Sequence, residues 1–157
     1  MRRKIVDVVL LPTETMMDRV IEVNRKLLEK SDKKIVLNRK NCLPHIFLAM
    51  GCVDERDIAV IEKFLRTITK ECPLGDLRVI DIQTTESSAG GKVSVFKVEK
   101  TKELQLFHET VMGKLAPDIS DDVCGDMIYT NAAVEGSTLL WIKNYWENQG
   151  SQIFHLI

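Results

Sequence analysis

The 157-residue sequence lacks the features that mark membrane proteins and duplex-DNA-binding proteins. No apolar stretch approaches the roughly 20 residues that a membrane-spanning helix needs. Basic residues number 22 and acidic residues 23, so there is no excess of positive charge to neutralise the phosphates of duplex DNA. This balance still permits a local pocket for one or two phosphates. We therefore expect neither a membrane nor duplex DNA as a partner.

Cysteine is scarce, and its spacing does not indicate a metal site. No C-x-x-C pair occurs among the four cysteines, Cys42, Cys52, Cys72 and Cys124. A chain of this length can bury a core without disulfides, so we expect one domain over residues 1–157 with reduced, mostly buried thiols. The apolar run near the amino end is interrupted by Asp7 and lacks a cleavage site, which argues against a secretory signal. The expected compartment is the cytoplasm.

The spacing of apolar residues predicts an α+β fold. Strands are predicted at residues 4–11, 35–37, 43–50, 77–82, 93–98 and 153–157. Helices are predicted after Thr13 as far as residue 30, from residue 54 to about residue 72, after Thr101 as far as residue 115, and around residues 139–146. Thr13 and Thr101 are the expected N-caps. The acidic segment 54–57 suits the positive end of its helix.

Two of the three histidines have similar apolar surroundings. His45 lies in the segment LPHIFLAM and His155 in FHLI, each within a predicted strand in a different half of the chain. Neighbouring residues of a strand alternate faces, so each histidine shares its face with the residue two positions later. The two side chains are either core residues with satisfied hydrogen bonds or parts of one groove across a sheet. Their recurrence in both halves favours the groove.

A pair of imidazoles across a groove suits the cleavage of a phosphodiester. One imidazole deprotonates the attacking water or hydroxyl and the other protonates the leaving oxygen, and histidine suits both roles because its ordinary pKa is close to neutrality. Neither role requires a metal or a cofactor. The sequence does not assign which of His45 and His155 is the acid and which the base. The third histidine, His108, lies in a predicted helix, where we expect a structural or solvent-edge role.

The segment LPHIFL, followed by GCVDERD at the start of a helix, resembles the first signature of the two-histidine (2H) phosphoesterases. The opening strand that ends at Pro12, the strand pair before the helix of His108, and the terminal Phe154 and His155 follow the same order. The resemblance therefore covers essentially the whole chain. That superfamily includes the so-called 2′-5′ RNA ligases and the RNA 2′,3′-cyclic phosphodiesterases. The resemblance implies two similar lobes of small antiparallel sheets flanked by helices, with a central groove.

The same resemblance implies an activity and a set of site residues. In the family motif, which occurs twice, a histidine is followed two residues later by threonine or serine. The histidines correspond to His45 and His155, and the phosphate-holding hydroxyls are replaced by Phe47 and Ile157. The implied activity is metal-independent cleavage of a cyclic phosphate or phosphodiester on an RNA end or a small nucleotide. The second motif strand usually continues in the family, so we expect either a chain shortened at its carboxyl end or a degenerate member.

Two other interpretations stay open at this point. Replacement of both hydroxyls favours a catalytically impaired relative that binds a nucleotide or a protein without turnover, whereas retention of both histidines favours an enzyme. The third interpretation is an unrelated α+β domain with histidines in its core. A basic cluster before the His45 segment is either a surface that attracts phosphate or a solvated turn, and it comprises Lys33, Lys34, Arg39 and Lys40.

Overall fold

The computed structural model describes residues 3–30, 35–86, 92–120 and 154–156. In chain order, its elements are β1 (Arg3–Leu10), α1 (Glu14–Leu28), β2 (Ile46–Asp54), α2 (Ile58–Glu71), β3 (Val79–Glu86), β4 (Lys92–Val98), α3 (Lys102–Leu115) and β5 (His155–Leu156). The predicted α+β class is confirmed. None of the helices in these ranges is both long and apolar enough to cross a membrane. The helix predicted around residues 139–146 lies outside the described residues, as do Cys124 and Ile157.

The described strands form one antiparallel sheet in the order β1-β2-β5-β4-β3. β5 comes from the carboxyl end of the sequence and yet lies at the centre of the sheet. It joins the β1–β2 pair on one side to the β3–β4 pair on the other. The two histidine-bearing segments, before β2 and in β5, are therefore neighbours in space.

All three helices contribute buried residues to the core that covers one face of the sheet. The first of two clusters contains strand residues with residues of α2 and α3, for example Val8, Leu48, Ile61 and Val111. The second cluster contains Val20 of α1 and Leu104 of α3. They lie in one cluster with residues in and beside the strands, among them Ile46, Val98, Phe154 and Leu156. Because strand residues alternate faces, the residues between these buried positions lie on the opposite face.

Both predicted threonine caps are in place. The Thr13 side chain accepts a hydrogen bond from the backbone N–H of Met16, and that of Thr101 accepts one from Leu104. These bonds satisfy backbone donors that the first turn of a helix leaves free. The three cysteines that the structure describes have free thiols, but only Cys52 is buried, so the prediction of mostly buried thiols is wrong for Cys42 and Cys72.

The predicted start of α2 at residue 54 is wrong, because Asp54 is the last residue of β2 and α2 begins at Ile58. The Asp54 carboxylate accepts hydrogen bonds from the backbone N–H of Arg56, at 3.1 Å, and from its guanidinium, at 2.9 and 3.0 Å. These bonds lower the pKa of Asp54 to about 2. They hold a turn between strand and helix, which is a common use of aspartate.

The predicted strand at residues 35–37 is also wrong. The Asn24 amide of α1 donates to the carbonyl oxygen of Ile35 at 3.0 Å, and its oxygen accepts from the N–H of Leu37 at 2.9 Å. A side chain of α1 thus satisfies backbone groups that a strand would pair. Arg39 of the basic cluster binds the carboxylates of Glu14 and Asp18 on α1, so its charge is already paired at the surface. Lys33 and Lys34 lie outside the described residues.

The strand predicted at residues 43–50 begins and ends later than expected. β2 begins at Ile46 and runs through Gly51 to Asp54, so His45 lies directly before the strand and not within it. Val8 pairs with Ala49 and Val9 with Phe47, so the register shifts between Val8 and Val9 and forms a bulge at Leu48. Both Leu48 and Ala49 join the core as a result. Bulges of this kind redirect side chains and are frequent beside functional sites.

Candidate functional site

Strand register places a continuous row of side chains across the face opposite the helices. Ile46 pairs with Leu156, so the next residues along each strand, Phe47 and His155, lie across from each other. Lys97 of β4 pairs directly with His155. The row continues outward to Val9, which pairs with Phe47, and to Asp81, which pairs with Lys97. We call the row Val9, Phe47, His155, Lys97 and Asp81 the site row.

His45 adjoins the site row through its contact with Phe47. The two rings pack edge to face, with centroids 4.3 Å apart. Burial alternates along this segment. Pro44, Ile46 and Leu48 are buried, whereas His45 and Phe47 are half-buried. Because Phe47 lies across from His155, the contact with Phe47 places His45 on the same side of the sheet as His155.

A backbone contact fixes the tautomer of neutral His45. Nδ1 lies 2.6 Å from the carbonyl oxygen of Leu43, and because a carbonyl can only accept, Nδ1 carries the hydrogen. The lone pair of the neutral ring is then on Nε2. That atom is buried and has no hydrogen-bond partner among the described residues. Neutral His45 can accept a proton at Nε2, and protonated His45 can donate one from it.

His155 has a different environment. Phe154 and Leu156 on either side are buried in the core, so the imidazole between them projects from the opposite face and is half-buried. Burial lowers the pKa of His155, and the positive charge of Lys97 lowers it further. Both effects favour the neutral imidazole, which is the form that accepts a proton.

Asp7 of β1 provides a negative charge near His45. Asp7 lies two residues before Val9 in β1, so it shares the face of the site row. Asp7 is exposed as a whole residue, but neighbouring protein atoms desolvate its carboxyl group enough to raise its pKa, and the charge of His45 opposes that rise. The charge of His45 therefore favours the carboxylate form of Asp7. Negative charge lies towards His45, and positive charge lies towards His155.

The third histidine belongs to the core on the other face. His108 of α3 is 2% exposed, which excludes the solvent-edge role, and its ring packs edge to face against Phe154 at 5.5 Å. It donates a hydrogen bond to the backbone of Leu48, whereas Nδ1 is buried and has no partner in the described part of the chain. A second proton on the ring would have to bind at Nδ1, which is buried. Burial disfavours the charged ring and so lowers the pKa of His108.

We expect the free energy of unfolding to fall as the pH is lowered from 7 to 5. The pKa values of His108 and His155 are lowered in the folded chain, so the unfolded chain, with a histidine pKa of about 6.5, binds protons more tightly. Their contribution is complete above that value and is lost as the pH falls through the folded pKa. Urea unfolding of His108→Gln, which keeps an amide donor, should depend less on pH than wild type does.

The same comparison separates the effect of His108 on the free energy of unfolding from that of Asp7. Burial raises the pKa of Asp7, so its protonation at lower pH favours the folded chain, which is the opposite effect. Identical pH dependence in wild type and His108→Gln would show that His108 does not remain neutral in the fold.

Lys97 and Asp7 were not found by reasoning from the sequence. The signal that identifies them is the pairing register, which brings Lys97 opposite His155 although the two residues are far apart in the sequence. The second predicted hydroxyl position, Ile157, lies outside the described residues. Within the described ranges, no group of three or more His, Cys, Asp or Glu side chains is placed to hold a metal ion.

Comparisons with protein-family models, with curated proteins and with solved structures found no match to this chain.

Proposed function

We propose that this protein is a 2H phosphoesterase-like enzyme that opens a cyclic phosphate or cleaves a phosphodiester on an RNA end or a small nucleotide. The observation that carries the proposal is the placement of His45 and His155 on one face of neighbouring antiparallel segments. Both histidines are half-buried, unlike His108 at 2% exposed, which argues against the interpretation of two core histidines. A cytoplasmic location belongs to this proposal.

The charges around each histidine support different roles in hydrolysis of a cyclic phosphate. Lys97 favours neutral His155, which would take a proton from water as the water oxygen bonds to phosphorus. His45, which lies near the Asp7 carboxyl group, would give an Nε2 proton to the ribose oxygen as that oxygen leaves. One P–O bond forms and one breaks. The two histidines exchange protonation states, and solvent restores them.

The two-lobed architecture of the family is part of the same proposal. The feature that supports it is the arrangement of two antiparallel pairs, β1–β2 and β3–β4, on either side of β5. Each of the two central strands, β2 and β5, then carries or directly follows one histidine, as a groove between related halves requires.

The direct test is hydrolysis of a nucleoside 2′,3′-cyclic phosphate and of a 2′,5′-linked dinucleotide in the presence of a chelator. We expect slow, metal-independent turnover, because both motif hydroxyls are replaced. Absence of turnover together with measurable nucleotide binding would replace the enzyme with the second candidate. That candidate is a catalytically impaired relative that binds a nucleotide or a protein, and it is favoured by the apolar ring of Phe47 beside His45.

Replacing Phe47 with threonine tests whether this segment corresponds to the family motif. Phe47→Thr would restore a hydroxyl donor and free space in the site row, and a hydrogen bond to a charged oxygen contributes about 1.5–3 kcal/mol. We expect phosphate or nucleotide affinity to rise by roughly ten-fold or more, since ~1.4 kcal/mol corresponds to one decade. Calorimetric titration would measure the affinity. Urea unfolding must accompany it, because truncating a packed phenylalanine can cost several kcal/mol.

A folded Phe47→Thr protein with wild-type affinity would show that Phe47 does not occupy a phosphate-contacting position. The correspondence of this segment with the family motif would then be wrong.

A further inference from the structure

We propose that Lys97 holds the phosphate group of the substrate, in place of the hydroxyls that the site lacks. The inference rests on the proposed function and adds a specific ligand to it. Lys97 is the only cationic side chain in the site row, and it pairs directly with His155. Both side chains therefore project from the same face of adjacent strands, at the typical distance of directly paired residues, about 5 Å between Cβ atoms.

The ammonium of Lys97 forms no ion pair with any residue in the described ranges. Its direct partner on β3 is Asp81, whose carboxylate accepts hydrogen bonds from the N–H of Ile82 at 2.8 Å and from the amide of Gln83 at 3.1 Å. Lys97 is nevertheless half-buried. A partly desolvated ammonium without a partner is costly, and a bound anion would offset that cost.

The distribution of charge also indicates where the anion lies. Asp7 is near His45 at the β1–β2 side, and Lys97 is next to His155 at the β4 side. A phosphate is therefore repelled from Asp7 and attracted to Lys97. The lowered pKa of His155 agrees with a field from Lys97 that reaches this imidazole. We place the phosphate over His155 and Lys97. His45, directly before β2, would then lie on the β2 side of the phosphate.

Lys97→Gln tests this assignment, with Lys92→Gln as the matched control. Lys92 lies on the same strand, is exposed, and alternates onto the other face. Calorimetric titration of the full chain with inorganic phosphate should show affinity reduced about ten-fold or more in Lys97→Gln, equivalent to ~1.4 kcal/mol per decade. Lys97→Arg, which keeps the charge, should stay close to wild type, and Lys92→Gln should be unchanged.

A second readout distinguishes a ligand from a merely structural residue. In Lys97→Gln, the imidazole of His155 should titrate at higher pH than in wild type, as followed by nuclear magnetic resonance, because a nearby positive charge is gone. His45, Asp7 and Asp81 stay in place, so the change reports Lys97 alone.

Two outcomes would overturn the proposal, and they differ in what they leave standing. If wild type binds phosphate and hydrolyses a cyclic phosphate while Lys97→Gln keeps full affinity, only the role of Lys97 is wrong. If wild type neither binds phosphate nor hydrolyses a cyclic phosphate, both the role of Lys97 and the proposed function are wrong.

Discussion

His45→Ala and His155→Ala should each lower kcat for a nucleoside 2′,3′-cyclic phosphate by about 100- to 10,000-fold, the usual contribution of a general acid or base. The reason is that each imidazole transfers a different proton in the same step, so neither can replace the other. The loss in the double variant should be much smaller than the product of the two single losses, because residues that act as a unit are not additive. Initial rates in chelator would measure these effects.

The third histidine provides the matched control for this experiment. His108 lies on the opposite, helix-covered face of the sheet, against Phe154 and Leu48. His108→Gln should therefore keep its turnover once activity is expressed per folded molecule. Turnover that persists in both His45→Ala and His155→Ala would show that these histidines are not the catalysts.

Phe154→Ala should lower the free energy of unfolding by about 3–5 kcal/mol, the range for truncation of a buried phenylalanine. Phe154 is 1% exposed, packs against His108, and accepts a hydrogen bond from the N–H of Val98 at 2.9 Å. It is also the residue directly before β5, so its burial fixes the position of the His155 imidazole. The variant should therefore lose phosphate affinity along with stability.

Phe154→Leu is the control, because it retains much of the buried apolar volume and should cost less than the alanine variant. Urea unfolding at pH 7.5 would give both values. A loss below about 1 kcal/mol for Phe154→Ala, which is ordinary for any substitution, would show that this side chain does not anchor β5.

Local patterns in the sequence were sufficient to predict the two threonine caps and the alternation of burial around His45. Thr13 and Thr101 were identified as caps because their hydroxyls can accept from the first turn of a helix, and both do so. The apolar residues around His45 alternate with it in burial, as the period of a strand requires. In both cases, the deciding interactions join residues that are at most a few positions apart.

The errors and omissions arose where distant residues decide the structure. The Asn24 side chain takes up the backbone groups of residues 35–37, and the Asp54 carboxylate holds a turn where a helix start was expected. The central position of β5 depends on pairing with β2 and β4, which no local pattern specifies. Lys97 and Asp7 join the site only through that pairing. Strand register, more than any motif, defines the candidate site.

The central claim is that His45 and His155 face one phosphate, and titration of ¹⁵N-labelled imidazoles with inorganic phosphate tests it most directly. The account predicts that the resonances of His45 and His155 shift together with a single Kd, while those of buried His108 do not move. Shifts of His45 and His155 with different Kd values, or no shift of either at saturating phosphate, would contradict a shared site.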